Sequence, residues 1–329
     1  MSNIDSLIKR GEAYFSEGLY DSAISNYSQA IAAGDKSSQL YCLRAKAYLA
    51  KAWEAGGRAP SGEEAYEAWA VAFGRKPELQ LALADAEQAV LLDPNNNEAH
   101  YGLGIIQVDR SRWAEAIAAF DKCLELVPED TEAMYWRAVA FDEMGDTPKA
   151  LETLAEVIAF AADCSEAYYL RSQIHTANGD LDEALADISK AVDLEPEAPE
   201  YYMQRGKVLS YMAEKPEGAA RLAEAIEDLS EALRLDPKNA EAYNWRSLAY
   251  LQAEDDKKEL KDLDALIALE PHNAEAYRRR YECETACGRR LEAAMDWLYL
   301  CFLKPKAITD PIVEAARGAR SGFKKFSGN

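Results

Sequence analysis

The sequence predicts an all-α solenoid of about eight helical hairpins. Three observations carry that reading: a phrase that recurs at a fixed period, a proline that closes it, and small residues that return at two fixed places within it. The phrase runs LLDPNNNEAHYGLG from Leu91, LVPEDTEAMYWRA from Leu126, LEPEAPEYYMQRG from Leu194, LDPKNAEAYNWRS from Leu235 and LEPHNAEAYRRRY from Leu269. In each, a residue that cannot continue a helix stands just past a helix end. Aligned on it, units start at Ile4, Ser38, Asn97, Thr131, Ser165, Pro199, Ala240 and Ala274, separated by 34, 59, 34, 34, 34, 41 and 34 residues.

Within a unit, position 8 of the first helix is small: Gly11, Ala45, Gly104, Ala138, Ser172, Gly206 and Ser247, with Tyr281 the exception. Position 20, in the second helix, is Ala23, Ala82, Ala116, Ala150, Ala184, Ala225 and Ala293, with Glu259 the exception. Small residues at both places let two helices approach closely, and a larger side chain there costs roughly 1 to 3 kcal/mol by overpacking. Position 24 supplies bulk (Tyr27, Phe120, Leu154, Ile188, Leu229, Leu263, Trp297) and is expected to fill the gap between neighbouring hairpins; Ala86 is the departure.

A 34-residue period with these signature residues resembles the tetratricopeptide repeat family, over about residues 4–307. The resemblance implies a right-handed superhelix whose first helices line a concave groove, with positions 2, 5, 9 and 12 of each unit facing a partner protein. On those positions and their neighbours, the candidate contacts are Tyr101, Ile105, Tyr135, Trp136, Val139, Tyr169, Gln173 and Met203, an apolar and aromatic strip suited to an extended or helical segment. The carboxylate clamp of heat-shock co-chaperones is not expected, because Ile8, Glu12 and Leu43 replace the polar and basic residues it needs.

One column departs from the family, which favours Leu at position 7: here stand Arg10, Arg44, Arg137, Arg171, Arg205, Arg246 and Arg280. Position 23 is Asp85, Asp187, Asp228, Asp262 and Asp296, and the one unit lacking the Arg, with Leu103, also lacks the Asp, with Ala119. That pairing predicts an Arg to Asp bridge inside each hairpin, with Arg10 and Arg137 facing Asn26 and Thr153 instead.

The second unit is longer than the period by 25 residues, placed at about 49–81. A continued first helix to about Ala55 is followed by a Gly56, Gly57, Pro60 break and a capping box of Ser61 and Glu64. The helix that follows places Ala65, Tyr66, Trp69, Ala72 and Phe73 on one face, expected either to pack on the first helix through Trp53 or to anchor a partner through Tyr66, Trp69 and Phe73. A smaller excess at about 212–221 reads as a lengthened turn. At the end, Asp310 and Pro311 open a predicted capping helix within 308–329, a segment that from Lys304 carries six basic and two acidic residues.

Composition narrows the function. A net charge of −21 argues against a nucleic-acid ligand and for a basic or apolar protein segment. The six Cys lack paired spacing and read as buried small hydrophobes of a reducing compartment, which with the absence of an export or membrane-spanning run suggests the cytoplasm. Gly102 and Gly104 lie inside a helix and lack the third glycine of a dinucleotide loop, so no cofactor is expected. Cys283 and Cys287 share a helix face, but the sequence shows no second ligand pair, and no metal is expected. No catalytic constellation is apparent. These readings converge on a protein-binding scaffold or adaptor; a dedicated chaperone or inhibitor of one effector and a self-assembling structural subunit are the alternatives. Oligomeric state is not legible from the chain.

Overall fold

The structure, a computed structural model, describes residues 3–56, 77–213 and 218–303. The described residues form sixteen α-helices and no strand. They divide into two compact units, residues 1–170 and 171–329.

The first unit contains four hairpins: α1 (Asn3–Ser16) with α2 (Tyr20–Ala32), α3 (Ser38–Gly56) with α4 (Pro77–Leu92), α5 (Asn97–Asp109) with α6 (Trp113–Leu126), and α7 (Thr131–Glu143) with α8 (Thr147–Phe160). Within it, the second helix of each hairpin also packs on the first helix of the next. The boundary between units falls inside α9 (Ser165–Asn178). The second unit continues with α10 (Leu181–Leu194), then the hairpins α11 (Pro199–Ala213) with α12 (Ala219–Leu235), α13 (Ala240–Gln252) with α14 (Asp256–Leu269), and α15 (Ala274–Ala286) with α16 (Arg290–Leu303). Helices thus pack in successive pairs, the solenoid arrangement that the period predicts.

The recurrent phrase explains where the first helices begin. Its Asn or Asp is the N-cap: the side chains of Asn96, Asp130, Asn239 and Asn273 accept from the backbone N–H of Ala99, Ala133, Ala242 and Ala276, satisfying an otherwise orphaned donor. Six of the hairpins turn through one left-handed residue. Glycine supplies it at Gly18, Gly145, Gly179 and Gly288, with φ of 75 to 85°, while Ser111 and Glu254 adopt it at φ of 53° and 55°.

The small residue at position 8 and the bulky one at position 24 meet inside one hairpin. A Cβ on Gly11 would lie 2.4 Å from Tyr27, on Gly104 2.5 Å from Phe120, and on Gly206 2.6 Å from Leu229. Position 24 therefore fills its own hairpin first, which corrects the expectation that it mainly bridges hairpins. The position-20 alanines are buried throughout.

All five predicted bridges form, each with two parallel N–H···O bonds. Arg44 holds Asp85, Arg171 holds Asp187, Arg205 holds Asp228, Arg246 holds Asp262 and Arg280 holds Asp296, at 2.6 to 2.8 Å. Arg10 and Arg137 do not face Asn26 and Thr153. Arg10 is exposed and donates from Nε to the Ser6 carbonyl at 3.3 Å, while Asn26 donates to the Ser22 carbonyl. Arg137 reaches Asp121 at 3.0 Å and Glu156 at 3.3 Å. The reason is charge: the carboxylates of Glu156, one turn beyond Thr153, and of Asp121, on the preceding hairpin, outcompete the neutral Thr153 for a guanidinium.

Arg137 also exposes a feature of the ladder that the expected pairs omit. Nη1 of Arg44, Arg137, Arg246 and Arg280 reaches back to Ser28, Asp121, Ser230 and Asp264, each 16 residues earlier on the preceding hairpin, at 2.5 to 3.1 Å. One guanidinium can therefore tie two helices of its own hairpin and a third from the hairpin before it.

The long first helix is as expected, with α3 extending to Gly56. The helix expected around Tyr66, Trp69 and Phe73 and the capping helix within 308–329 lie outside the described residues. In the sixth hairpin, part of the excess lengthens the helices themselves, since α11 has 15 residues and α12 has 17 against the 13 of α13.

Candidate functional site

The groove-facing positions of the first three hairpins and the start of the fourth enclose one apolar cavity of about 310 Å³. Its wall takes Phe15 from α1, Cys42, Leu49 and Trp53 from α3, Tyr101 and Ile105 from α5, and Trp136 from α7. Its floor is Ala45 and Ala86, and that pair explains why the space exists. In the second hairpin alone, positions 8 and 24 are both alanine, so the bulk that Tyr27, Phe120 or Leu154 supplies elsewhere is missing.

Polar groups are confined to the rim. Glu98 and Glu132, at position 2 of adjacent first helices, are exposed at the edge, and Lys46 sits opposite with its ammonium 5.7 Å from the centre of the Phe15 ring. Tyr101 is half-buried with its ring 6.1 Å from that of Phe120, and burial pushes its phenol well above the usual range, with Glu132 adding to the shift. An apolar floor under an acidic edge suits an apolar side chain flanked by basic ones.

Trp53 stands over this space, 47% exposed, held by an indole N–H that donates to Asp109 at 2.8 Å. Burial pushes the Asp109 carboxyl up to about 6, against the opposing effect of that hydrogen bond. A carboxylate at the last residue of a helix also meets the negative end of the helix dipole. Because the folded value lies above the unfolded one, the stability linked to Asp109 is complete below about pH 4 and is lost as pH rises through about 6. Asp109→Asn retains an acceptor for Trp53 and is expected to stabilise the chain by about 1–2 kcal/mol at pH 7.5, a gain that vanishes by pH 4. Thermal melts of both proteins at the two pH values check this; an equal difference at both would show that charge is not the cause.

The strip expected from sequence is divided by the structure. Tyr101, Ile105 and Trp136 share the cavity, Ile105 as a buried core residue whose edge forms its wall. Tyr135 packs edge-on to Trp136 with ring centres 5.6 Å apart but does not line the cavity, nor do Val139 and Tyr169. Met203 is buried in a core cluster with Leu229 and Leu233, against which Tyr202 and Trp245 pack, and does not line this cavity. Gln173 lines a separate, more polar hollow of about 450 Å³ in the second unit, with Thr176, Gln204, Lys207 and Tyr211. Tyr66, Trp69 and Phe73 lie outside the described residues.

Phe15, Cys42, Leu49 and Trp53 are the wall residues that the expected strip omits. Phe15 and Leu49 occupy position 12 and Cys42 position 5, so the groove rule already held three of them. No helix among the described residues is long and apolar enough to cross a membrane. Cys42, Cys123, Cys164, Cys283 and Cys287 are free thiols, three of them buried.

Four family models described as tetratricopeptide repeats match the chain, over residues 8–78 and 78–131, 107–174, 165–198 and 221–253. No curated protein sequence matches it. Among solved structures, the C-terminal part of a repeat-containing protein from Cytophaga hutchinsonii is 16% identical with a TM-score of 0.58, covering 82% of this chain and 97% of that one. PilF of Pseudomonas aeruginosa is 19% identical with a TM-score of 0.57, covering 68% and 98%. A monomeric IFIT1 variant solved with Gppp-AAAA is 14% identical with a TM-score of 0.56, covering 92% and 70%. These likenesses concern the fold.

Proposed function

Because the chain belongs to the tetratricopeptide repeat family, whose repeats serve as protein-interaction scaffolds, we propose that it docks a partner protein through the cavity between Trp53 and Trp136. The occupant is one large apolar or aromatic side chain on a segment that also carries Lys or Arg. The observation that carries this reading is the Ala45 and Ala86 floor: the family's packing rule is relaxed at one hairpin, and the space left opens toward the groove under an acidic rim. A cavity of this size accepts an indole or phenyl ring, and burying one contributes roughly 2 to 3 kcal/mol of binding. The net charge of −21 favours a basic segment over a phosphate backbone.

The test restores the rule. Ala86→Leu places at position 24 the bulk that other hairpins carry, filling the cavity from below without touching the rim. Peptides selected from a displayed library against the full chain are expected to share a Trp, Phe or Leu beside basic residues, to shift the fluorescence of Trp53 or Trp136, and to bind Ala86→Leu at least tenfold more weakly. Binding that Ala86→Leu leaves unchanged while Tyr135→Ala with Tyr169→Ala abolishes it would move the site along the groove and overturn this one.

Self-association rests on different residues. On α16, Leu291, Met295 and Leu298 are exposed on one helical face. That alternative predicts a mass that rises with concentration and falls back to the monomer in Met295→Glu, with no effect of Ala86→Leu.

A further inference from the structure

The seventh hairpin breaks the repeat pattern at position 20. Position 20 is alanine in seven units and Glu259 in this one, where its side chain is only 2% exposed. Its two oxygens have different surroundings. Oε1 accepts from Arg279 at 3.4 Å, and Arg279 is itself held by Asn244 at 3.0 Å and Ser247 at 2.8 Å. Oε2 is buried with no hydrogen-bond partner. A charged oxygen so placed is costly unless something else satisfies it.

The Glu259 carboxylate belongs to a ligand set. Asp256 and Glu259 lie three residues apart in the first turn of α14; Cys283 and Cys287 lie four apart at the end of α15, which packs against it. Ligand atoms of Asp256, Glu259 and Cys283 all lie within 4.8 Å of one another. Cys287 stands outside that group of three, with its sulfur 3.4 Å from Asp256 Oδ2. Cys283 is buried, whereas Asp256 and Cys287 are exposed, so the cluster has a floor and an open side for entry. The sequence shows Cys283 and Cys287 without a second pair; the packing of α14 on α15 provides it.

We propose that Asp256, Glu259, Cys283 and Cys287 bind a divalent cation of borderline softness, zinc by preference. Two sulfurs select against magnesium and calcium, and four protein ligands with no open position make a closed, structural site. Bond lengths of about 2.3 Å to sulfur and about 2.1 Å to oxygen put tetrahedral ligands roughly 3.4 to 3.8 Å apart, so Asp256, Glu259 and Cys283 close by about 1 Å and the exposed Cys287, already beside Asp256, turns in to complete the set. Arg279 acts from outside the ligand set, fixing Oε1 so that Oε2 points at the cation. Both thiols lose their protons to solvent on binding, the two carboxylates contribute their existing charges, and affinity therefore falls in acid. The cation would clamp the seventh hairpin to the eighth.

The experiment uses the full chain, chelator-treated, kept reduced without added thiols, and titrated with cobalt(II) as the probe. One equivalent is expected to bind with thiolate-to-cobalt charge-transfer absorption, to be displaced by zinc and not by magnesium, and to raise the melting temperature. Cys287→Ser and Asp256→Asn, both at exposed positions, are expected to weaken binding at least tenfold while circular dichroism stays unchanged; Glu259→Gln should do the same, and Cys164→Ser should not. No charge-transfer absorption, absorption only with excess cobalt, or absorption that survives in Cys283→Ser with Cys287→Ser would overturn the site.

Discussion

Asp262→Ala is expected to destabilise the chain by about 3–5 kcal/mol, as read from urea unfolding followed by circular dichroism. Asp262 is 2% exposed and receives two bonds of 2.7 Å from Arg246, whose side chain is 17% exposed. The third arm of Arg246 reaches Ser230 at 3.1 Å, and its guanidinium lies over the rings of Tyr243 and Tyr250 at 5.7 and 5.9 Å. Removing the carboxylate leaves that largely buried cation without its counter-charge. The loss therefore measures an uncompensated charge rather than the net worth of the pair. Replacing both residues together, Arg246→Met with Asp262→Leu, is expected to recover most of the stability. A control separates burial from charge. Arg137 pairs with Asp121 and Glu156, each about half exposed, and Asp121→Ala should cost less than about 1 kcal/mol. If Asp262→Ala costs no more than that, the ladder is a surface decoration.

How much of this was legible in the sequence depends on whether a contact stays inside one period. The Arg and Asp columns are separated by a constant offset within a hairpin, so their joint absence at Leu103 and Ala119 was enough to pair them. The backward reach to Ser28, Asp121, Ser230 and Asp264 was not, because it depends on how one hairpin leans on the next. The same limit hid the second ligand pair at Asp256 and Glu259: the two cysteines share a helix, but their partners belong to the preceding hairpin. The cavity is an intermediate case. Ala86 was visible as a departure, yet its meaning required knowing that position 24 fills the space beside position 8 of its own hairpin, where Ala45 also leaves it open. Position 5 alone does not decide which residues line the cavity: Cys42 and Met203 are equally buried, but only Cys42 borders the space left by Ala45 and Ala86.

The same packing rule makes Gly104→Ala the second large effect, a loss of about 3 kcal/mol, at the upper end of overpacking. A Cβ on Gly104 would meet three ring atoms of Phe120 at 2.5 to 2.8 Å, and Phe120 is fully buried between α5 and α6 with no open side to move into. Alanine is the better helix former by about 1 kcal/mol, so a net loss means that the collision outweighs the propensity. The chain contains its own control. Where position 8 is Ala138, Ser172 or Ser247, position 24 is Leu154, Ile188 or Leu263; where it is Gly11 or Gly104, position 24 is an aromatic ring, while Gly206 stands with Leu229 and the divergent last unit has Tyr281 with Trp297. Gly104→Ala with Phe120→Leu reproduces the Ala138 and Leu154 pair of the next hairpin and is expected to restore stability to within about 1 kcal/mol of the parent, whereas Phe120→Leu alone leaves a void and costs about 1–2 kcal/mol. A double variant that is worse than the sum of its parts would show that the two positions do not share one volume, and the explanation given for the Ala45 and Ala86 cavity would fall with it.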